Sequence, residues 1–139
     1  MNKPAFKLEE YHFTKASLDF NIPSKAELNI VFNPRGMFNQ KEATYELDFD
    51  VKVECKETST EVICVSCVAL FSFEDRIKIS EIPEYFYPNC LAIVFPYIRA
   101  FVSTLSLQAN VRPVVLPTVN LMGLTESLKE KTTIVELMI

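Results

Sequence analysis

Cys64 and Cys67 form a C-x-x-C pair, the spacing of redox-active dithiols and of half a tetrahedral zinc site. Both chemistries need the two sulfurs on one side of the backbone. The surrounding residues, EVICVSCVALFSF from 61 to 73, read as a β-strand, and positions three apart in a strand point to opposite faces. The pair is therefore badly placed for one metal or an easy disulfide. The other cysteines, Cys55 and Cys90, stand alone, and the one histidine, His12, has only Glu9 and Glu10 beside it in sequence. Zinc sites need four ligands, so no metal is expected, nor any cofactor. His12 lacks a nucleophile partner and no G-x-S-x-G or H-E-x-x-H pattern accompanies it, so it reads as an ordinary surface residue and no enzyme is expected.

The remaining charged pattern is acidic. Glu46, Asp48, Asp50 and Glu54 alternate with apolar residues along EATYELDFDVKVECK, 42 to 56. Such a row is either the solvated face of an antiparallel strand or a docking surface for a basic partner. The alternation itself is the cleanest structural signal in the chain, with Ala43, Tyr45, Leu47, Phe49, Val51, Val53 and Cys55 on the dry side. ETSTE turns the chain into residues 61 to 73, apolar on both parities, and its second row needs a contact that the hairpin partner does not supply.

Upstream, residues 5 to 20 read as a long strand whose apolar parity switches twice, from Phe6 and Leu8 to Tyr11 and Phe13 and back to Ala16, Leu18 and Phe20, which predicts bulges or a bend. A loop at NIPSK leads to a short strand, 27 to 32, closed by a turn at NPRG, 33 to 36.

Downstream, Tyr87 to Leu121 is the stretch around which the rest is arranged. It reads as a long apolar helix with Pro96 inside, predicting a kink near 92 to 96 or two helical pieces. The aromatic connector Tyr85 to Tyr87 precedes it, and an extended segment punctuated by Pro113 and Pro117 follows. Phe95, Phe101, Val102 and Leu105 belong to an apolar surface too broad for one sheet face, which suggests burial against another copy of the chain. Asn120 is a suitable N-cap for a short amphipathic helix carrying Leu121, Leu124 and Leu128, while the tail TTIVELMI has no assigned place.

Length and composition narrow the class. The 139 residues suit a single domain, 1–139, with a substantial core, and 49% hydrophobic residues argue against disorder. Two glycines, Gly36 and Gly123, exclude a Gly-rich phosphate loop. A net charge of −4 without a basic cluster speaks against nucleic acid. Charges and prolines interrupt the hydrophobic stretches before the roughly 20 residues of a membrane span, and the first ten residues turn acidic where a signal peptide would be apolar. A cytoplasmic chain with reduced thiols and no direct membrane insertion is expected.

Several motifs together resemble the signature region of SecB-type protein-export chaperones. They are Pro88-Asn89, the run Phe95-Pro96-Tyr97 followed by Arg99, and Pro117-x-Val119-Asn120-Leu121, where that family usually has Phe in place of Leu121. The resemblance extends over about residues 4 to 130, weakly in the strands, where TKASLDF at 14 to 20 is similar, and specifically in the helix and its exit. It implies an α+β fold, a four-stranded antiparallel sheet with a long helix packed on it and a short C-terminal helix, assembling as a homotetramer, a dimer of dimers. It also implies an ATP-independent holdase that binds unfolded polypeptides and keeps them export-competent. By matching position, the client groove would comprise Leu28, Ile30, Phe32, the connector Tyr85, Phe86 and Tyr87, and Val119, Leu121 and Leu124. Cys64, Ser66 and Val68 match a strand row used between subunits.

Asp19 matches one of the acids through which family members meet the SecA motor, and Glu46, Asp48 and Asp50 are further candidates for that docking surface. Val65 stands where another acid is expected, and the family's acidic tail is replaced by ELMI. These departures bear on SecA docking more than on client binding. Two hand-off readings stay open, the translocase or a different partner such as a toxin–antitoxin pair. A carrier of small apolar ligands, with the aromatic connector lining a closed pocket, is the competing class.

Overall fold

The computed structural model describes residues 5–117 and 121–135. Four long strands, β1 (Phe6–Leu18), β2 (Leu28–Asn39), β3 (Thr44–Cys55) and β4 (Glu61–Phe73), are followed by a helix, α1 (Phe86–Gln108), a shorter one, α2 (Met122–Glu130), and a last strand, β5 (Thr132–Ile134). The sheet order is β1-β4-β3-β2-β5, antiparallel except for the β2/β5 pair. The sheet thus has five strands, where four were expected. The fifth comes from the apolar tail, whose Thr132–Ile134 pairs with Gly36–Phe38.

Alternation decides which side of the sheet is dry. Tyr45, Leu47, Phe49, Val51 and Val53 on β3, and Ile63, Val65, Cys67, Ala69 and Phe71 on β4, are buried beneath α1. Burial pushes the Cys67 thiol up to about 11, so it stays protonated, and Cys64 lies on the opposite face. On β1 the register slips between Leu8 and Glu10 and again between Phe13 and Lys15. These two bulges are the two parity switches of the sequence, and they return Phe6, Leu8, Tyr11, Phe13, Ala16 and Leu18 to the face that meets α1.

β2 differs from the sequence reading. It continues through Asn33-Pro34-Arg35-Gly36 to Asn39 with no turn, in unbroken register with β3. Pro34 is tolerated because β2 is paired on its outer side only at Gly36–Phe38, so the missing N–H removes no ladder bond. Gly36 has a packing reason. The Tyr45 side chain crosses it to donate to Thr132 Oγ1 at 2.7 Å, and Thr132 in turn donates to the Leu128 carbonyl at 2.8 Å. A Cβ on Gly36 would overlap the Tyr45 hydroxyl and its ring carbon. Burial raises the Tyr45 pKa far above its ordinary value, keeping the phenol a donor.

α1 is one continuous helix of 23 residues, not two pieces. Pro96 and Ala92 both lie on its exposed side, so the Ala92 carbonyl left without its helical donor faces solvent instead of the core. Phe86 and Tyr87, read from sequence as part of a connector, form the first helical turn and are buried. Arg99 is the one charged residue within α1, so in length and composition the helix matches a membrane span, contrary to the sequence reading. One face, however, including Phe86, Cys90, Leu91, Val94, Ile98 and Val102, is buried, as in a core helix. In α2, Leu128 is buried and Leu124 half-buried, while the proposed cap Asn120 lies outside the described residues.

Among the described residues, no helix packs on the outer sheet face. His12, Val68 and Asp48 form one row across β1, β4 and β3; Lys15, Ser66 and Asp50 form another. Arg35 reaches over from β2 to Asp50 at 2.7 Å and lies 4.0 Å from Asp48. Burial would raise Asp50, but the bonds from Arg35 and Ser66 and the charge of Lys52 outweigh it and hold the carboxyl below its usual value. Glu46 is raised instead, by burial and then by the Asp48 carboxylate beside it.

Two consequences are measurable. Gly36→Ala is expected to cost about 2–4 kcal/mol in urea unfolding, since Tyr45 must leave its place and orphan its bond to Thr132. Glu46 binds its proton more tightly folded than unfolded, so its ionisation opposes folding as pH rises above about 4.5. Glu46→Gln should therefore gain about 0.5 kcal/mol at pH 7. Melting curves of both proteins should converge at or below pH 4.5, and a gain that persists there would exclude this origin.

Candidate functional site

The exit of α1 builds the site. Asn110 takes up a left-handed conformation, φ 59°, just past the helix end. Its N–H donates to the Leu107 carbonyl at 3.0 Å, and that of Val111 to the Ser106 carbonyl at 3.2 Å, the paired bonds of a Schellman turn. The chain reverses and runs back along the helix. Pro113 and Pro117 favour extended backbone there, and three side chains of α1 hold it. Ser106 Oγ accepts from the Val114 N–H at 2.9 Å, Ser103 Oγ donates to the Val114 carbonyl at 3.3 Å, and Arg99 Nε donates to the Leu116 carbonyl at 2.8 Å. Leu116 is fully buried and Val115 points outward, 58% exposed.

This return segment is a ridge with a hollow on each side. Toward the sheet lies a hollow of about 490 Å³ lined by Phe20, Ile22 and Ala26 from the β1–β2 connection, Leu28 and Ile30 of β2, Val53, Val62 and residues 111–115. Val62 reaches it because the β3/β4 register shifts beside Val53, leaving Val62 as the extra residue of a bulge. Toward the helix lies a second hollow of about 510 Å³ lined by Ala92, Phe95, Pro96, Arg99, Ala100, Ser103, Val115 and Leu121. Val115 borders both. A further hollow of about 470 Å³, between residues 5–9 and 72–74, is bordered by Lys7, Glu9 and Glu74 and is the more polar in character.

The groove residues expected from sequence are divided by this geometry. Leu28 and Ile30 line the first hollow and Leu121 the second. Phe32 lines neither, its ring lying 5.8 Å from Phe95 and 6.4 Å from Phe49. Leu124 is half-buried against the core, and Val119 lies outside the described residues. Tyr85, Phe86 and Tyr87 are elsewhere, at the start of α1. Phe86 is packed 4.8 Å from both Phe6 and Tyr45, beside the end of the sheet that carries Phe38, roughly 30 Å along β2 from Leu28. Buried Phe86 and Tyr87 offer no surface within this chain.

Of the residues read as a subunit contact, Cys64, Ser66 and Val68 lie half-buried on the outer sheet face. Phe95 and Val102 are buried within the chain, Leu105 is half-buried, and Phe101 stacks on Phe13 at 4.0 Å. The free side of α1 is formed instead by Ile93, Pro96 and Leu107, while the partly exposed Tyr97 stacks on Tyr11 of β1. Asp19 accepts from the Asn21 N–H at 3.0 Å beyond the end of β1, apart from the row of Glu46, Asp48 and Asp50. Phe20, Ile22, Val62 and Val111 were missed as lining residues. Two apolar side chains in the loop after β1, and a valine two residues ahead of the first proline after α1, were the available signals.

The family described as preprotein translocase subunit SecB matches residues 11–132. An uncharacterised protein of Methanocaldococcus jannaschii is 28% identical over 137 residues, covering 92% of this chain and 87% of that protein. Among solved structures, the Mycobacterium tuberculosis Rv1957 SecB-like chaperone, in complex with a ChAD peptide from the HigA1 antitoxin, superposes with a TM-score of 0.68 at 15% identity, covering 83% of this chain and 88% of that one. With a five-stranded sheet bearing one long helix, a proline-rich return segment and a family match across most of its length, the chain belongs to the SecB family.

Proposed function

We propose that this chain is an ATP-independent holdase that captures unfolded polypeptide in the two hollows beside Val115. The observation that carries this reading is an apolar, open surface held in place by backbone-directed hydrogen bonds from α1. Unfolded chains display the apolar side chains such a surface lacks. Burying about 300 Å² of client gains about 7 kcal/mol before the cost of ordering it. Exposed Leu28 and Val115 keep the hollows accessible to a long chain, which favours this reading over a carrier with a closed pocket.

The client backbone has a place as well. Gly36 N–H and the Phe38 carbonyl point from β2 toward the tail segment, bonding Lys131 O and Val135 N. With no bulge in β2, the amides and carbonyls of Leu28, Ile30 and Phe32 point the same way, beyond the reach of β5. An extended client could bond this edge without regard to its sequence, while its alternate side chains meet the hollow. Leu28, Ile30, Phe32 and Leu121 are thus the core of the proposed client site.

Apolar Ile93 and Leu107 on the free side of α1, and Val68 and Leu70 on the outer sheet face, support the proposed assembly into a dimer of dimers, which would multiply client sites; a cytoplasmic setting is part of the same proposal. Delivery to the translocase through SecA would use the acidic outer face, and Arg35 neutralises part of that face. This favours service to a dedicated partner, such as a toxin–antitoxin pair, in keeping with the antitoxin peptide bound by the mycobacterial neighbour.

Light scattering during dilution of a denatured, slow-folding polypeptide tests the holdase. The protein should suppress aggregation and ignore the folded form, and Leu28→Ser or Val115→Ser should each weaken capture roughly fivefold. Unchanged capture by both variants would move the client site elsewhere. Ile93→Glu should reduce the assembled mass in the same instrument, and an unaltered mass would remove the free face of α1 from the assembly.

A further inference from the structure

Among the described residues that line the sheet-side hollow, Arg112 is the single ionisable one and none is a carboxylate, so the lining they form carries one positive charge. The backbone on either side of Arg112 is held, by Val111 N–H on the Ser106 carbonyl and by Val114 N–H on Ser106 Oγ. Pro113 restricts Arg112 further to extended backbone. The guanidinium therefore projects from a fixed point beside an apolar surface. Among the described residues it has no hydrogen-bond or ion-pair partner. Of the acids adjacent in sequence to lining residues, Asp19 accepts from the Asn21 N–H, Glu27 lies 3.5 Å from Lys56 Nζ, Glu61 lies 3.3 Å from Lys52 Nζ, and Glu54 stands on the outer face of β3 with Asp50 and Lys52.

We infer that Arg112 is a specificity-determining residue, which selects clients placing a carboxylate next to the apolar residues seated in the sheet-side hollow. The proposal rests on the holdase reading and adds the chemical class of its clients. A guanidinium pairs with a carboxylate through two parallel hydrogen bonds, whereas a client lysine at that point meets like charge and must shed water without compensation. The charge of the hollow thus sorts unfolded segments of equal hydrophobicity. An acidic side chain and a free C-terminal carboxylate present the same group, and both are to be compared.

The test is fluorescence anisotropy with labelled extended peptides sharing one apolar run and flanked by Asp, Asn or Lys, each with an amidated C-terminus, plus an Asn-flanked peptide with a free one. The wild-type protein should bind the Asp peptide about fivefold more tightly than the Lys peptide at low salt, a preference that shrinks in 0.5 M salt. Arg112→Gln should level the ratio and Arg112→Glu should invert it. A gain for the free C-terminus alone would assign the site to chain ends; a gain for Asp, to internal acidic segments. Peptides that bind without charge preference, or a preference that survives Arg112→Glu, would overturn the role of Arg112 and leave the holdase standing. Failure of every peptide to bind would overturn both.

Discussion

One helix is too narrow for the sheet it lies on. α1 is about 10 Å across, whereas four strands about 4.8 Å apart already span about 14 Å between their outer axes. The strands beneath the helix, β3 and β4, carry the fully buried rows. The flanking strands must find other cover. β1 reaches inward with aromatic rings, Tyr11 stacked 4.2 Å from Tyr97 and Phe13 4.0 Å from Phe101. Along β2 the cover is supplied by the return segment and α2, and it is incomplete. The apolar hollows are what remains of a core that the helix cannot close.

That incompleteness is itself held firmly. Three side chains of α1 bond the backbone of the return segment rather than its side chains, so the ridge carrying Val115 persists whatever lies beside it. The other end of β2 is closed by the chain Tyr45, Thr132 and the Leu128 carbonyl, which ties β3, β5 and α2 across Gly36. A buried polar chain of this kind contributes because each member is satisfied. The two devices divide β2 into a closed half and an open half. Pro34, lacking an N–H, stands between them.

Such a surface suits partners without fixed structure. Its apolar lining rewards any exposed aliphatic or aromatic residue, and its strand edge rewards any extended backbone. In the proposed client site, selectivity would come from the few polar groups nearby, of which Arg112 is the one charged member among the described lining residues. The outer sheet face has a different character, acids and cations interleaved and partly paired, with half-buried Val68 and Leu70 between them. The two faces therefore differ in chemistry, one apolar beside an open strand edge, the other charged and partly paired.

The sequence by itself determined the local order. Alternation along 42 to 56 and 61 to 73 located the central hairpin, because strand periodicity follows from the backbone alone. The parity switches of β1 announced its bulges for the same reason. The signature residues around Pro88, Phe95 and Pro117 carried the family across the chain. What only the tertiary structure decided is which neighbour each apolar residue meets. Phe95 and Val102 look equally suited to a second subunit or to the chain's own core, and the rotation of α1 about its axis chooses the core. NPRG carries every local mark of a turn, yet β3 on one side and the Tyr45 side chain above Gly36 hold it straight. The tail became a strand only because β2 had an edge to offer. Local preferences amount to a fraction of a kcal/mol per residue, and long-range packing and pairing, which no window of sequence contains, outweigh them.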